Sequence, residues 1–169
     1  MALDDRPLFL IGFMGSGKST LGRRLSERLN WDFLDTDGLV EETAGCEIEQ
    51  IFRDHGEARF REIEEGVARS LAGLTRTVVA TGGGLFLSFA NRRLLNSEGR
   101  TLWLDVPFET CIQRVGEGGG RPLWNPGKRL GFRALFERRR AIYALAQARL
   151  SITTEAADEL VGRVLAVFD

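Results

Sequence analysis

The chain has 169 residues, a formal net charge of −1 and two cysteines, Cys46 and Cys111, whose separation matches no metal or redox motif. This length suits one α/β domain over residues 1–169, and the balanced charge offers no overall attraction to nucleic acid or to an anionic membrane. Because no stretch approaches the roughly 18 apolar residues of a membrane span and the N-terminus lacks a signal-peptide pattern, we expect a cytoplasmic protein.

Short apolar runs alternate along the chain with longer segments of helical periodicity. The pattern predicts strands over residues 8–13, 32–34, 77–80, 101–104 and 150–152. Helical periods are clearest over residues 62–74, 132–147 and 158–168. Such an alternation implies a parallel sheet with helices on both faces. In a sheet of this kind ligands gather where the strands end, so the residues after each strand carry the functional information.

The first strand end carries residues 12–20, GFMGSGKST, which match the phosphate-binding pattern GxxxxGK[ST] between a strand and a helix. Its glycines let backbone N–H groups approach phosphate, and the helix that follows directs its positive end at the same anion. Lys18 is placed to reach the β and γ phosphates, and the Ser19 hydroxyl is the expected Mg²⁺ ligand. The loop therefore predicts a nucleoside triphosphate with Mg²⁺. The residues predicted to bind it are Gly15, Ser16, Gly17, Lys18, Ser19 and Thr20.

Two aspartates, Asp35 and Asp37, follow the second predicted strand and can both project toward this rim if the strand stops at Leu34. One would hold Mg²⁺, usually through its water shell, while the other accepts a hydrogen bond from a substrate hydroxyl. The alternative is an Asx turn that only ends the strand. Beside a phosphate-binding loop, the catalytic interpretation is favoured.

Three further segments suit recognition of an anionic acceptor. Arg61 and Glu64 lie three residues apart on a predicted helix, so they can pair and hold the guanidinium ready for a carboxylate. The glycines Gly82, Gly83 and Gly84 follow the third strand, where their N–H groups could bind a polar ligand, unless they form a plain flexible turn. Arginines 138–140 share one helical stretch, so at most one or two can face the rim, and a solvated basic face is the alternative.

Residues 113–127 contain glycines and prolines on either side of Arg121 and show no helical or strand period. A loop of this composition could close over a bound phosphate and exclude water, which would otherwise compete with the acceptor hydroxyl. We therefore predict a mobile lid over about residues 113–127. The acceptor-binding region is predicted over about residues 35–64.

Taken together, the phosphate-binding loop, the Asp35-Thr36-Asp37 segment, residues 56–64 (GEARFREIE), the three glycines and the Arg121-Pro122-Leu123 segment closely resemble the shikimate kinase family. The motifs occur in the same order and at matching spacing, from about residue 8 to residue 153. The resemblance implies a three-layer P-loop NTPase fold with a five-stranded parallel sheet in the order 2-3-1-4-5. It also implies ATP and Mg²⁺ as cofactors, shikimate as the small-molecule substrate, and a monomer.

The resemblance also implies roles for individual residues. Those matching positions that hold shikimate are Asp37, Arg61, Gly83 and Arg139. Asp35 matches the acidic residue near Mg²⁺, Arg121 the lid arginine that moves onto the phosphates, and Arg114 a residue that packs on adenine. One departure lies beside Arg139, because Ala141 stands where the family usually has proline. Arg138 and Arg140 therefore remain alternatives to Arg139.

The implied reaction transfers the γ-phosphoryl group of ATP to the 3-hydroxyl of shikimate, a step of aromatic amino-acid biosynthesis. Lys18, Asp37 and Arg121 are the expected catalytic residues. Two alternatives stay open at this point. One is a kinase for a related small substrate, such as gluconate or a nucleoside monophosphate. The other is an inactive domain of this family that senses shikimate.

Overall fold

One parallel sheet organises the chain, of which the computed structural model describes residues 4–118 and 129–168. Its strands are β1 (Leu8–Ile11), β2 (Asp32–Asp35), β3 (Thr77–Ala80), β4 (Arg100–Asp105) and β5 (Ala148–Ser151). They pair in parallel in the order β2-β3-β1-β4-β5, which confirms the predicted topology. Strand β1 is central and fully buried, as expected for a continuous apolar run covered on both faces.

Helices cover both faces of this sheet. They are α1 (Lys18–Leu29), α2 (Thr36–Ala44), α3 (Ile48–Ser70), α4 (Phe89–Glu98), α5 (Phe108–Gly118), α6 (Arg129–Tyr143) and α7 (Ala157–Val167), with a short 3-10 helix at Leu85–Leu87. Within the described residues, no helix combines the length and apolarity needed to cross a membrane. The phosphate-binding loop, residues 12–20, is called the P-loop below. It follows β1 and runs into the start of α1, so it occupies the edge of the sheet where the parallel strands end.

Several boundaries differ from those predicted from the sequence, and two of them lie next to the P-loop. Strand β1 ends at Ile11 rather than at residue 13, because the chain turns into the P-loop at Gly12. The predicted lid was wrong about residues 113–118, which form the last turns of α5. A buried face that includes Ile112 and Val115 keeps this segment helical, despite the glycines that follow. The rest of the predicted lid, with Arg121, lies outside the described residues.

Helix α3 bends at Gly56, whose backbone has φ 78° and ψ 178°. A side chain is strongly disfavoured at such a positive φ, so glycine permits the bend. The bend lets the second half of α3 pack along α2. The apolar side chains that meet there form a small core separate from the main one: Val40, Ile51, Phe60, Ile63 and Val67. This core lies largely within the predicted acceptor-binding region and packs its two helices together.

Candidate active site

The P-loop is shaped by glycines and by the ammonium group of Lys18. Gly15 and Gly17 have φ of 74° and 89°, which glycine adopts without strain. The Nζ atom of Lys18, which is 7% exposed, donates to the carbonyl oxygens of Gly12 and Phe13, each at 2.8 Å. The loop and the start of α1 thus place a buried cation and the N-terminus of a helix at one point, which suits a polyphosphate.

Ser19 and Asp35 face each other beside this loop. The Ser19 hydroxyl donates to Oδ2 of Asp35 at 2.6 Å, and Oδ1 of the same carboxylate accepts from the backbone N–H of Asp37 at 3.1 Å. Asp35 therefore caps α2, as the Asx-turn alternative requires, and also contacts the P-loop. Strand β2 extends to Asp35, one residue further than predicted, and Asp37 lies in the first turn of α2.

The glycines at residues 82–84 leave room for side chains of the site, as well as for a ligand. A Cβ atom on the first glycine would lie 2.5 Å from Oδ1 of Asp37, and one on the second 3.6 Å from Nη1 of Arg139. On the third glycine it would approach the guanidinium of Arg61 more closely than any real Cβ approaches a neighbour. The first glycine also donates its N–H to the Thr36 hydroxyl at 2.7 Å. Three side chains that are predicted to bind the substrate thus pack against the backbone of this loop.

Arg61 is held by two carboxylates of its own helix. Its Nη1 donates to Oε2 of Glu64 at 2.6 Å, as the three-residue spacing predicted, and its Nη2 lies 3.2 Å from Oε1 of Glu57. Burial raises the pKa of Glu64 above its usual range, and the attraction of Arg61 opposes that shift without cancelling it. The Glu64 carboxylate thus lies buried against the guanidinium of Arg61 and orients it.

Only one of the three arginines at 138–140 is both buried and directed into the cavity beside Arg61. Arg139 is 9% exposed, and its Nε atom is buried without a hydrogen-bond partner among the described residues. The Nε of Arg140 is also buried without a partner there, but this arginine pairs with Asp105 at 3.1 Å and lies over the ring of Trp103. Arg138 is exposed and does not line the cavity that Met14 and Asp37 line, although it lines an adjoining one together with Arg61 and Arg139. The geometry therefore favours Arg139 over its neighbours as the acceptor ligand.

Two adjoining cavities meet at Asp37 and the second glycine of the loop, Gly83. The first, of about 510 Å³, is lined by charged, glycine and apolar residues, among them Arg61, Glu64, Arg139, Met14, Phe52 and Phe60. The second, of about 310 Å³, is lined by the P-loop with Lys18, Ser19 and Asp35. Since Asp37 and Gly83 line both, a group bound in one cavity can face a group bound in the other.

Arg114 extends the second cavity along α5. Its Nη1 lies 3.4 Å from the carbonyl oxygen of Gly15, and it also lines a further cavity of about 240 Å³ with Ile152 and Leu160. A Cβ on Gly15 would overlap the carbonyl of Cys111 on α5, so this helix packs directly on the P-loop. The described part of the chain thus brings together every predicted site residue except Arg121.

Sequence reasoning missed several residues that line these cavities. The apolar walls of the larger cavity come from Met14, Phe52 and Phe60, and acidic side chains at its outer side come from Glu41, Glu47 and Glu49. Phe60 carried a signal that could have been used, because it lies on the apolar face of α3 next to Arg61. The three glutamates carried none, since exposed acidic residues are common on any helix surface.

A P-loop at the end of a parallel sheet, joined at one wall to a cavity lined by two arginines and an aspartate, defines a P-loop kinase of small molecules. The family model for shikimate kinase matches residues 14–169. The chain belongs to the shikimate kinase family.

Relatives with solved structures or known sequences agree with this placement. A shikimate kinase from Persephonella marina is 39% identical over 160 residues, which span 95% of this chain and 97% of that protein. One from Synechococcus sp. (strain JA-3-3Ab) is 47% identical over 151 residues, spanning 88% of this chain and 79% of that protein. The structure of shikimate kinase from Acinetobacter baumannii in complex with shikimate matches with a TM-score of 0.89 and 34% identity. The match covers 95% of this chain and 90% of that chain.

Proposed function

We propose that the chain transfers the γ-phosphoryl group of ATP to the 3-hydroxyl of shikimate, giving shikimate 3-phosphate and ADP. The observation that carries this proposal is the shared wall of the two cavities. Arg61 and Arg139 line the larger cavity, Lys18 lines the smaller one, and Asp37 lines both. An acceptor that is held by its carboxylate would present its hydroxyls to the phosphate at that wall.

The acceptor side supports a small carboxylated polyol. Arg61 and Arg139 can both donate to a carboxylate, and the planar guanidinium suits that partner better than an ammonium group does. The buried Nε of Arg139, which has no hydrogen-bond partner in the described chain, supplies a further donor close to this cavity. Phe52 and Phe60 supply an apolar wall on which a ring carbon skeleton can pack.

The reaction requires little covalent chemistry of the protein. The acceptor oxygen attacks the γ-phosphorus as the bond to the ADP oxygen breaks, and the hydroxyl proton passes late to the carboxylate of Asp37. Lys18 would neutralise charge on the transferring group from the P-loop side. Arg121, outside the described residues, is proposed to add a second positive charge from the lid. Positioning and charge neutralisation account for most of the acceleration in such a site.

The donor side suits ATP with Mg²⁺. Ser19 and Asp35 offer a hydroxyl and a carboxylate oxygen, the hard donors that Mg²⁺ prefers, and Mg²⁺ usually completes its shell with water and phosphate oxygens. The ion would neutralise charge on the β and γ phosphates when bound. Arg114 is proposed to pack on adenine in the cavity that it shares with Ile152 and Leu160. A cytoplasmic monomer without nucleic-acid or membrane partners completes the proposal.

A coupled assay of ADP release tests this function. We expect ADP release to depend on shikimate and to require Mg²⁺, with gluconate and nucleoside monophosphates giving less than a tenth of the shikimate rate. Faster turnover of either alternative acceptor would assign the chain to that substrate. Shikimate binding without any ADP release would instead identify a sensor domain.

A further inference from the structure

Tyr143, the chain's single tyrosine, lies behind the acceptor cavity at the end of α6. Its side chain is 1% exposed, and its hydroxyl donates to the carbonyl oxygen of Gly83 at 2.5 Å. A buried hydroxyl needs such a partner, because burying one without a hydrogen bond is costly. The partner, however, belongs to a glycine that lines both cavities.

Arg139 lies beside Tyr143 on the same helix. The two residues are four apart on α6 and therefore lie on one face of the helix, one turn from each other. Burial raises the pKa of Tyr143 to about 12, an effect that the nearby positive charge of Arg139 offsets only in part. The hydroxyl therefore stays protonated at neutral pH, where it can accept from Arg139 while it donates to Gly83.

The Gly83 peptide lies between this pair and the P-loop. A Cβ atom built on Gly83 would be 3.6 Å from Nη1 of Arg139, 3.6 Å from the backbone nitrogen of Met14 and 3.7 Å from the carbonyl oxygen of Gly12. A shift of this peptide would therefore disturb its contacts with both Arg139 and the P-loop. In the proposed function, the spacing of these two groups sets how the bound acceptor faces the γ-phosphate.

We propose that Tyr143 is a positioning residue of the acceptor site. Its hydroxyl fixes the guanidinium of Arg139 against the Gly83 peptide and so sets where the acceptor carboxylate is held relative to the P-loop. The inference rests on the proposed function, in which Arg139 binds a carboxylate. Packing alone does not account for the hydroxyl, because the ring already contacts Trp103, at 6.4 Å between centroids, and a phenylalanine ring would do the same.

The substitution Tyr143→Phe removes the hydroxyl and keeps the ring. We expect the KM for shikimate to rise about tenfold, as for loss of one hydrogen bond to a charged group, while the KM for ATP changes less than about twofold. Trp103→Phe is the matched control, because it disturbs the ring contact without touching the hydroxyl. It should lower the melting temperature and leave the KM for shikimate unchanged.

A double-substitution cycle tests whether Tyr143 acts through Arg139. In an Arg139→Ala background, Tyr143→Phe should have no further effect on the KM for shikimate, because the group being positioned is gone. Equal effects of Tyr143→Phe in both backgrounds would overturn the proposal, as would an unchanged KM for shikimate in the single variant. If the wild-type chain shows no shikimate-dependent turnover, the proposed function fails instead, and the two failures are therefore distinct.

A second measurement needs no substitution. Because the chain has one tyrosine, biosynthetic incorporation of 3-fluorotyrosine labels this ring alone. We expect its ¹⁹F resonance to shift when shikimate saturates the holoenzyme, and to shift less with ATP and Mg²⁺ alone. A resonance that saturating shikimate leaves unmoved would contradict the proposed contact between the Tyr143 hydroxyl and the acceptor site.

Discussion

The two halves of the site are built in different ways. The phosphate side comes mostly from one contiguous segment, residues 12–20, whose glycine conformations and helix start create the binding surface locally. The acceptor side comes from four separate segments: Asp37 on α2, Arg61 with Glu64 on α3, the glycine loop after β3, and Arg139 on α6. Only the packing of the whole fold brings these four together.

Because of this difference, substitutions in the two halves should have different kinetic effects. A change at Lys18 or Ser19 of the P-loop removes a group that is proposed to contact phosphate, and these two residues line the phosphate cavity rather than the acceptor cavity. A change in the acceptor half is transmitted between neighbours, because Asp37, Arg139 and Arg61 each pack against one glycine of the same three-residue loop. Donor-side substitutions should therefore act mainly on kcat, and acceptor-side substitutions mainly on the KM for shikimate.

The largest expected effect is that of Lys18→Met, which removes the positive charge and keeps an unbranched side chain one atom shorter than that of lysine. Loss of one group that stabilises transition-state charge typically costs about 10²–10³ in kcat. Steady-state kinetics should show this loss. Calorimetric titration with shikimate in the absence of nucleotide should give a dissociation constant close to that of the wild type. Loss of shikimate binding would show that the two halves are not separable.

Arg139→Ala is expected to lower kcat/KM for shikimate by about 10- to 100-fold, the value of one or two charge-assisted hydrogen bonds. Arg138→Ala is the matched control, since it removes an exposed arginine from the adjacent position. Its kinetics should resemble those of the wild type. If Arg138→Ala had the larger effect, the assignment of the acceptor arginine would be wrong.

Gly84→Ala tests whether a change in the glycine loop displaces a neighbouring side chain of the acceptor half. The added methyl group would overlap the guanidinium of Arg61 and displace it, and we expect a rise of about tenfold in the KM for shikimate, in line with the cost of small displacements in active sites. The control is Gly131→Ala on α6, where a Cβ meets nothing within 4 Å. That control should leave the kinetics unchanged.

The smallest effect is predicted for Glu64→Gln, which keeps the shape of the side chain and removes its charge. The KM for shikimate should rise about threefold, because a weakened ion pair orients Arg61 less well. The pKa of Glu64 is raised in the folded state, so its contribution to stability is fully present below the unfolded pKa and is lost as pH rises through the folded value.

The glutamine variant lacks that titration. Relative to the wild type, its free energy of unfolding should therefore increase as pH rises from about 4 to 7. Urea unfolding at several pH values measures this difference. A variant that becomes relatively less stable over the same interval would show that the ion pair with Arg61 outweighs the cost of burying the carboxylate.

Local chemistry explains which features could be predicted from the sequence. The parallel sheet and the P-loop were accessible because short apolar runs and one contiguous motif encode them, whereas the strand order followed from the resemblance to the family. The pairing of Arg61 with Glu64 followed from helical spacing alone. The end of α5 was mispredicted as a loop because of its glycines, although Ile112 and Val115 form a buried helical face.

Contacts that depend on tertiary packing could not be predicted. Only the resemblance to the family distinguished Arg139 from its two neighbours in the sequence, and its burial follows from how α6 packs beside the glycine loop. The hydrogen bond between Tyr143 and Gly83 joins residues 60 positions apart. Likewise, the sequence suggested that the three glycines approach a ligand, whereas each also accommodates a protein side chain.

The central claim is that Asp37 acts where the two halves meet, and the substitution Asp37→Asn tests it most directly. The variant keeps the shape of the side chain but cannot accept the hydroxyl proton. Side-by-side measurement of shikimate binding and of turnover should show a dissociation constant within about fivefold of the wild type and a kcat lowered by about 10²–10⁴, the usual value of a general base. Retention of most of the turnover would contradict the claim.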